Sequence, residues 1–349
     1  MKYLYVQINN DYSGSAYAID AIIKAHNLKE IYVMTDFTND GFINKDEYQN
    51  KLNVNYSFKG KGIKTIIQLL KYYFLSSFKL IKLFISKEID VVYINTILPF
   101  NSSILGKFFK KKVIYHIHEF YVKPSIFIKL CLLVMRLTAD KIIYVSQFTK
   151  KVYFKNYSAL KQIEWEMQYT PIRFETTTSE SINYSKKYSG PIIMICSPKK
   201  YKGVEIFVSL AKLNPNNIFH LYLSGKYFFK TDLPSNLEII IKYDDIKSAL
   251  FNASVCLNLS QQPYWVETFG LTIWEALSQG TPVIVPDIGG PLEIVEDNCG
   301  IICNTRNLKE INEALKKILD DELSYVNYSK SSILRSNYLK KINFIKQIK

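Results

Sequence analysis

Cysteine is scarce in this chain of 349 residues, and its five thiols are an odd number. Cys131, Cys196 and Cys256 lie in apolar runs, which is typical of reduced, buried thiols in a cytosolic protein. Cys299 and Cys303 are separated by three residues, with no second Cys or His pair nearby. The spacing therefore argues against a zinc site, and no disulfide framework is expected.

Long uninterrupted hydrophobic runs are also missing. The most apolar stretches, residues 66–85 and 126–137, carry lysine or arginine and do not reach the roughly 18 uninterrupted apolar residues of a membrane span. The amino end turns polar at residues 9–11, too early for the apolar core of a signal peptide. We therefore expect a cytoplasmic protein that is neither secreted nor membrane-spanning.

Apolar and aromatic residues are abundant. Hydrophobic residues make up 48% of the chain and charged residues 22%, with 26 Tyr and 21 Phe, which excludes disorder, collagen and a coiled coil. A chain of 349 residues is longer than a single hydrophobic core usually supports, so two lobes are expected. The net charge of +14 is compatible with binding to nucleic acid, to an anionic membrane or to an acidic substrate, and charge alone does not distinguish these partners.

The hydrophobic pattern alternates between short apolar strands and amphipathic helices, which predicts an α/β fold of two doubly wound, Rossmann-like lobes. Periodicity is lost at residues 169–189, where we place the linker. The predicted domains are a first lobe at residues 1–170, a second lobe at residues 171–329 and a final helix at residues 330–349 that packs back on the first lobe. The strands are predicted at residues 3–8, 31–34, 91–95, 112–117, 141–145, 192–196, 219–223, 237–241, 255–259 and 283–285, and the helices at 16–26, 63–86, 204–213, 245–252, 271–279 and 329–349.

The most informative segment, residues 267–277, reads ETFGLTIWEAL and follows a predicted strand. A glycine that opens a helix lets backbone N–H groups approach a phosphate, and the helix dipole favours the anion. Phe269, Gly270 and Leu271 would supply those donors. Glu275 lies one turn further and could reach ribose hydroxyls, while Glu267 points to the other end of a diphosphate. Alternatively, Gly270 is an ordinary loop residue and both glutamates are solvated.

Further loops follow neighbouring predicted strands: SPKKYKG at residues 197–203, and the glycine-containing runs at 280–285 and 289–295. In doubly wound sheets, ligands bind outside the carboxyl ends of the strands. Lys199 and Lys202 would then pair with the diphosphate, although a single lysine in such a loop is more often solvated.

In these motifs the second lobe resembles the family four retaining glycosyltransferases of the GT-B fold, the bacterial glycosyl transferases group 1. The resemblance implies a nucleotide-sugar donor, with Glu267 holding the transferred sugar, Glu275 the ribose, and Lys202 with a preceding cation neutralising the diphosphate. That cation is usually arginine, and Lys199 is the nearest candidate here. The implied fold has two Rossmann-like lobes facing across a cleft, and the resemblance implies that the first lobe binds the acceptor and the second lobe the nucleotide-sugar.

The first lobe contributes YHIHE at residues 115–119, at the end of a predicted strand. Strand alternation puts His116 and His118 on one face, with His118 nearer the ligand-binding edge. The resemblance implies that His118 contacts the donor sugar, whereas His116 is better explained as a core residue. Gly14 and Ser15 match the family's glycine-rich loop only loosely, and a turn glycine with Ser15 as helix cap explains them nearly as well.

The chain contains no Asp-x-Asp, the metal clamp of the other major glycosyltransferase fold. We therefore expect no metal and no cofactor, the nucleotide-sugar being a cosubstrate. The resemblance implies retention without a clearly assigned nucleophile, with same-face attack and a donor phosphate oxygen taking the acceptor proton.

The basic excess is concentrated in the first lobe, with 24 basic and 13 acidic residues at 1–170 against 21 and 18 at 171–349. Lys64, Lys71, Lys79 and Lys82 fall within about 80° of one helix at 100° per residue. Together with the lysines around residues 107–112, they suggest that this lobe docks on anionic lipid or on a lipid-diphosphate acceptor.

The sequence thus predicts transfer from a UDP- or GDP-sugar to a glycan or lipid-linked acceptor, in the cytoplasm and peripherally on the inner membrane face. Abundant Asn, Lys, Ile and Tyr hint at an AT-rich bacterial genome, for which the resemblance suggests assembly of surface polysaccharide such as lipopolysaccharide, O-antigen or capsule. The alternatives are a related GT-B phosphorylase and a non-catalytic nucleotide-sugar sensor. Nucleic acid is not expected as a partner, because no RNP-type aromatic signature is evident.

Overall fold

A computed structural model describes residues 1–55, 63–121, 124–227, 232–241 and 245–343. The chain divides into two compact units, the first ending at Pro171 and the second beginning at Ile172. The sequence placed this division between residues 170 and 171.

The first unit alternates strands and helices. Its described residues form, in chain order, β1 (Tyr3–Val6), α1 (Gly14–His26), β2 (Ile31–Thr35), β3 (Asn50–Asn53), α2 (Ile63–Ser86), β4 (Val91–Asn95), α3 (Phe100–Phe108), β5 (Lys112–Ile117), α4 (Ile126–Thr138), β6 (Lys141–Tyr144), α5 (Gln147–Asn156) and β7 (Glu164–Met167).

All strands of the first sheet are parallel, in the order β3-β2-β1-β4-β5-β6-β7. The central strands β1 and β4 are buried on both faces, which is why they read as continuous apolar runs. One core packs α2 and α4 against the sheet, and α1 covers the opposite face. The strand order reverses direction between β1 and β4, where doubly wound sheets bind their ligands.

The second unit repeats the same plan. Its described residues form, in chain order, α6 (Tyr184–Tyr188), β8 (Ile192–Cys196), α7 (Val204–Leu213), β9 (Phe219–Leu223), β10 (Leu237–Ile241), α8 (Ile246–Asn252), β11 (Val255–Leu257), α9 (Leu271–Ser278), β12 (Val283–Pro286), α10 (Pro291–Ile294), β13 (Gly300–Cys303), α11 (Leu308–Ile318) and α12 (Glu322–Ile342). The parallel sheet has the order β10-β9-β8-β11-β12-β13, so its reversal lies between β8 and β11.

Two doubly wound parallel sheets confirm the predicted fold class. The pattern missed the edge strands β3 and β7, whose sequences NKLN and EWEM are polar. It also missed the edge strand β13, a run of four residues that begins at Gly300. The predicted linker contains the short helix α6, whose Lys187 amine is buried against the carbonyl oxygens of Leu250 and Phe251. Among the described residues, no helix combines the length and apolar character needed to cross a bilayer.

The last helix begins earlier than the sequence pattern indicated. α12 starts at Glu322, so the predicted division at residue 330 falls inside a continuous helix that packs on α9 and α6 of its own unit. The last six residues, 344–349, lie outside the described part. The predicted packing of the end of the chain on the first lobe stays a prediction.

Small side chains allow α12 to approach α9 closely. Ser329, Ser332 and Ser336 are fully buried on one face of α12. The Ser329 hydroxyl donates to the carbonyl oxygen of Gly280, and the Trp274 indole donates to the Ser336 hydroxyl at 3.1 Å. The hydroxyls of Ser329 and Ser336 are thus both hydrogen-bonded at this contact, and a larger residue at either position would displace these bonds.

We expect Ser332→Leu to destabilise the protein by about 1–3 kcal/mol, because three extra carbon atoms have no space at this fully buried position, where the hydroxyl donates to the carbonyl oxygens of Tyr328 and Cys299. The control is Asn337→Leu, at an exposed position of the same helix, with an expected change within about 0.5 kcal/mol. Urea denaturation measures both free energies of unfolding. Equal midpoints for the two variants would contradict the packing described for α12.

Candidate active site

The candidate donor site of the second unit lies where its sheet reverses. β8 and β11 are hydrogen-bonded neighbours, and their crossover connections run in opposite directions from this point. The loops after them, residues 197–203 and 258–270, therefore meet at the carboxyl edge of the sheet. These loops carry Lys202 and Glu267, which the sequence assigned to one ligand.

A glycine lets the two loops touch. Gly203 has a φ of 81°, and a Cβ placed there would lie 2.4 Å from the carbonyl oxygen of Leu259. Only a residue without a side chain tolerates both that φ and that distance. The close approach brings the lysine immediately before Gly203 to the loop after β11.

The segment before α9 is packed just as closely. Gly270, with a φ of 101°, directly precedes the first residue of α9, and Phe269 beside it is buried. A Cβ at Gly290 would lie 2.2 Å from the carbonyl oxygen of Thr268, and the Gly290 N–H donates to the carbonyl oxygen of Glu267 at 2.8 Å. Leu271 begins α9 and is partly buried. The start of α9 is thereby held in one position, with its dipole favouring an anion.

Lys202 and Glu267 form an ion pair at this edge. The Lys202 ammonium donates to the Glu267 carboxylate at 2.8 Å, and both side chains are less than one-fifth exposed. Burial raises the pKa of Glu267, but the positive charge of Lys202 and the hydrogen bond from its ammonium lower it, and the net pKa is below its usual value. Glu267 is therefore an anion at neutral pH, able to accept hydrogen bonds from hydroxyl groups.

Aromatic rings support the lysine. The rings of Tyr201 and Trp265 stack with centroids 5.3 Å apart, and the Lys202 ammonium lies 4.9 Å from the Trp265 centroid. Lys199 stands apart, with an exposed side chain at the residue before the short 3₁₀ turn. The structure thus brings Lys202 to Glu267 and leaves Lys199 at the surface of the same loop.

Glu275 is fully buried and bonded to a residue that the sequence analysis did not identify. Arg173 donates to its two carboxylate oxygens at 2.6 and 2.5 Å, and the backbone N–H of Arg173 adds a third bond at 3.3 Å. Any ribose contact of Glu275 would share the carboxylate with this guanidinium. The ribose role predicted for Glu275 stays a prediction.

The first unit places two histidines at the end of β5. His116 is fully buried, with its Nδ1 2.9 Å from the Tyr93 hydroxyl, which confirms a core role. The His118 ring lies 4.0 Å from the His116 ring, and the residue is partly buried just beyond the last residue of the strand. Burial lowers the pKa of His118 to about 3, so its imidazole is neutral at physiological pH.

Glu119 positions the backbone around His118. Its carboxylate accepts the N–H of Ile97 at 2.8 Å and the N–H of His118 at 3.2 Å. Burial raises the pKa of Glu119 to about 7, although these backbone bonds oppose the rise. The β4 and β5 ends are thereby tied together at the reversal side of the first sheet.

The start of α1 lies earlier in the chain than the explanation of Ser15 as helix cap requires. α1 begins at Gly14, so Ser13 is the residue at its N-cap, and the reading of Ser15 as helix cap is wrong. The Ser15 carbonyl instead accepts from Asn95 at the end of β4, at 3.0 Å, and Asn95 also donates to Gln7 at 2.7 Å. Gly14 has open space around its Cβ position. An acceptor-side role for Gly14 and Ser15 stays a prediction.

Sequence reasoning missed Arg173 and Trp265 beside the candidate donor site of the second unit, and Asn95 beside the loop before α1 in the first unit. Arg173 lies in the irregular stretch taken as linker, where a lone arginine gives no signal of its partner. Asn95 ends a strand next to the reversal of the sheet, and that position could have identified it. Within the described residues, no group of three or more His, Cys, Asp or Glu is placed to hold a metal ion.

We expect Arg173→Met to lower the free energy of unfolding by about 3–5 kcal/mol, because it leaves the Glu275 carboxylate buried without its cation. Arg173→Met with Glu275→Leu should recover much of the loss. Lys340→Met is the control, since its pair with Glu175 is exposed and contributes about 1 kcal/mol or less. Urea denaturation compares the variants, and equal losses for Arg173→Met and Lys340→Met would contradict the buried pair.

Comparison with known proteins finds a family model that matches part of the chain. A family model described as Glycosyl transferases group 1 matches residues 185–335. Sucrose synthase from Thermosynechococcus vestitus is 38% identical over 89 residues, covering 24% of this chain and 11% of that protein. D-inositol 3-phosphate glycosyltransferase from Corynebacterium aurimucosum is 28% identical over 72 residues, covering 20% of this chain and 17% of that protein. The chain thus spans less than a fifth of these curated relatives.

Solved structures match over nearly the whole chain. HepE from Anabaena, in complex with UDP and glucose, superposes with a TM-score of 0.75 at 16% identity, covering 98% of this chain and 97% of that chain. Sucrose-phosphate synthase from Thermosynechococcus elongatus gives 0.71 at 16% identity, with 97% and 94% covered. WaaG, described as a glycosyltransferase involved in lipopolysaccharide biosynthesis, gives 0.71 at 15% identity, with 96% and 95% covered. Residues 185–335 therefore match the glycosyl transferases group 1 model, within a chain that has the GT-B fold.

Proposed function

We propose that this protein is a retaining glycosyltransferase of family four that transfers a sugar from a UDP- or GDP-sugar to a glycan or lipid-linked acceptor. The observation that carries the proposal is the ion pair of Lys202 and Glu267 beside the glycine-opened start of α9, at the reversal of the second sheet. This arrangement offers a cation and a helix N-terminus for phosphates, next to an anionic acceptor of hydroxyl hydrogen bonds.

The donor diphosphate is assigned to Lys202 and the start of α9. HepE from Anabaena, which shares the fold, was crystallised with UDP and with UDP-glucose, and this supports a nucleotide-sugar donor. Lys199, exposed in the same loop, is the candidate for the second cation. Glu275, with Arg173 behind it, is assigned to the ribose.

Sugar recognition is assigned to Glu267 and His118. An ionised carboxylate accepts hydrogen bonds from the sugar hydroxyls, and a neutral imidazole both donates and accepts. The low pKa of His118 keeps its ring uncharged before the reaction. Fixed dipoles of this kind stabilise the positive charge that develops on the sugar as the bond to the diphosphate breaks.

Neither a metal nor a protein nucleophile is required in this proposal. Lys202 and the α9 dipole neutralise the departing diphosphate, as a metal does in other transferases. The acceptor attacks from the face that the leaving group occupied, and a donor phosphate oxygen takes its proton, so the anomeric configuration is retained.

The biological role we propose is assembly of bacterial surface polysaccharide at the inner face of the cytoplasmic membrane. Support comes from the composition of the chain and from the fold shared with WaaG, a protein of lipopolysaccharide biosynthesis.

Two substitutions separate donor binding from sugar transfer. Lys202→Met should weaken binding of UDP or GDP by about 10- to 100-fold, because a charge-assisted hydrogen bond to phosphate is lost. Glu267→Gln should leave nucleotide binding intact or tighter, since it frees Lys202, while sugar release from the donor falls about 100-fold. Calorimetry with UDP, GDP, ADP and CMP measures binding, and hydrolysis of UDP- and GDP-sugars measures turnover.

Glu313→Gln, exposed on α11, is the matched control and should alter neither quantity. His118→Ala should behave as Glu267→Gln does, with folding retained. A protein that binds nucleotide but turns over no donor would be a sensor, and undiminished turnover in Glu267→Gln and His118→Ala would refute the assignments.

Chelation tests the metal independence. We expect an excess of EDTA to leave donor turnover unchanged, because protein groups supply the positive charge at the diphosphate. Loss of turnover with EDTA, restored by Mg²⁺ or Mn²⁺, would contradict this part of the proposal.

A further inference from the structure

The long helix α2 exposes an apolar stripe to solvent. Seven of its large apolar side chains are between 39% and 75% exposed, and at about 100° per residue they span an arc of roughly 120°. Phe74 and Phe78 lie near the middle of the helix, with Leu70 and Ile85 towards its two ends. The opposite side of α2 is buried in the core of the first unit. The stripe is therefore additional to what the core needs.

Helices α3 and α4 continue the same surface. Ile126, Leu130, Leu133 and Leu137 lie at spacings of four, three and four residues on α4, and all four are exposed, Ile126 by 87%. Between α2 and α4, the exposed Phe108 belongs to α3, which packs against both neighbours. A scattered exposed leucine is ordinary, whereas a patch shared by three adjacent helices marks an interaction surface.

The three helices face the same way. Core side chains of α2 and α4 enter one cluster on one face of the first sheet, so their outer sides point away from that face together. Asn101 of α3 donates to the hydroxyls of Ser76 and Ser77 on α2, at 2.8 and 3.0 Å, and the rings of Phe100 and Phe127 join α3 to α4. We refer to this surface, the exposed side of α2, α3 and α4, as the outer face.

The charge of the outer face has one sign. None of the three helices contains an acidic residue. Lys71 and Lys82 are exposed beside the stripe of α2, and Lys129 and Arg136 are exposed beside the stripe of α4. Lys79 donates to the carbonyl oxygen of Asn53, and the side chain of Lys64 lies outside the described part.

We propose that the outer face seats the first unit on an anionic lipid bilayer, with the stripes of α2 and α4 inserted at the boundary between the headgroups and the acyl chains. Apolar side chains flanked by cations are the composition of helices that lie in that interface. Phospholipid phosphates would pair with Lys71, Lys82, Lys129 and Arg136, while the acyl chains cover the phenylalanines. The axes of these helices lie along the bilayer, because their inner sides stay in the core.

Charge distinguishes this occupant from a second copy of the chain. A symmetric dimer through the outer face would bring two surfaces without acidic residues together, so its cations would face like charge at short range. An anionic bilayer supplies the opposite charge over the whole area. The inference deepens the proposed function, on which it rests for the acceptor, since a lipid-linked acceptor is presented at such a surface.

The test is sedimentation of the full chain with vesicles of phosphatidylcholine alone or with one-third phosphatidylglycerol. We expect binding to the anionic vesicles, lowered by about tenfold or more in Phe74→Ser/Phe78→Ser, because two large apolar side chains no longer leave water. Lys71→Gln/Lys82→Gln should also bind more weakly and lose part of the salt dependence. The control is Leu213→Ser/Leu323→Ser, which changes exposed leucines of the second unit and should bind as the original chain does.

A Phe74→Trp variant adds a readout of insertion, because brominated lipids quench indole fluorescence only at the depth of the acyl chains. Absence of sedimentation, or equal binding by Phe74→Ser/Phe78→Ser, would overturn the inference. So would a dimer, in vesicle-free solution of low ionic strength, that the same pair of substitutions dissociates. UDP and GDP binding, measured without vesicles, reports on the donor site separately, so that failure of either proposal is recognised by itself.

Discussion

The candidate donor site depends on places where two backbone segments touch so closely that no Cβ would fit between them. Gly203 lies against the carbonyl of Leu259, and Gly290 lies against that of Thr268, in both cases closer than any Cβ would allow. These contacts draw three strand-end loops together and set the start of α9. Lys202 and Glu267 are neighbours because of them, although 65 positions separate these residues in the chain. The chemistry of the site thus depends on positions that carry no functional group.

The same reasoning explains what the sequence could and could not predict. Buried parallel strands such as β8 read as continuous apolar runs, and α2 and α7 have the predicted bounds because their amphipathic periodicity is strong. The glycine-opened start of α9 was also recognisable, because glycine is a favoured residue at a helix N-cap. Local pattern was sufficient for these features.

Contacts between residues far apart in the chain could not be predicted from local sequence pattern. Arg173 and Glu275 are 102 positions apart, and neither residue carries a local sign of the other. On α2 the lysines were identified by helical phase, but the apolar stripe beside them looked like ordinary core, because sequence does not say which apolar face is covered. The start of α12 was misplaced because its first two turns, residues 322–328, bury Tyr325 but expose Leu323, so hydrophobic periodicity does not mark them.

The outer face has a consequence for how the protein behaves in solution. Its cations keep neighbouring molecules apart while the solution is dilute in salt, because the Debye length is then about 30 Å at 0.01 M. At 1 M salt that length is about 3 Å, and only the attraction between apolar stripes remains. For a typical basic protein, added salt prevents aggregation with polyanions because it weakens the binding between them. This one should be colloidally most stable at low ionic strength, and it should self-associate as salt screens the repulsion that separates its own phenylalanines.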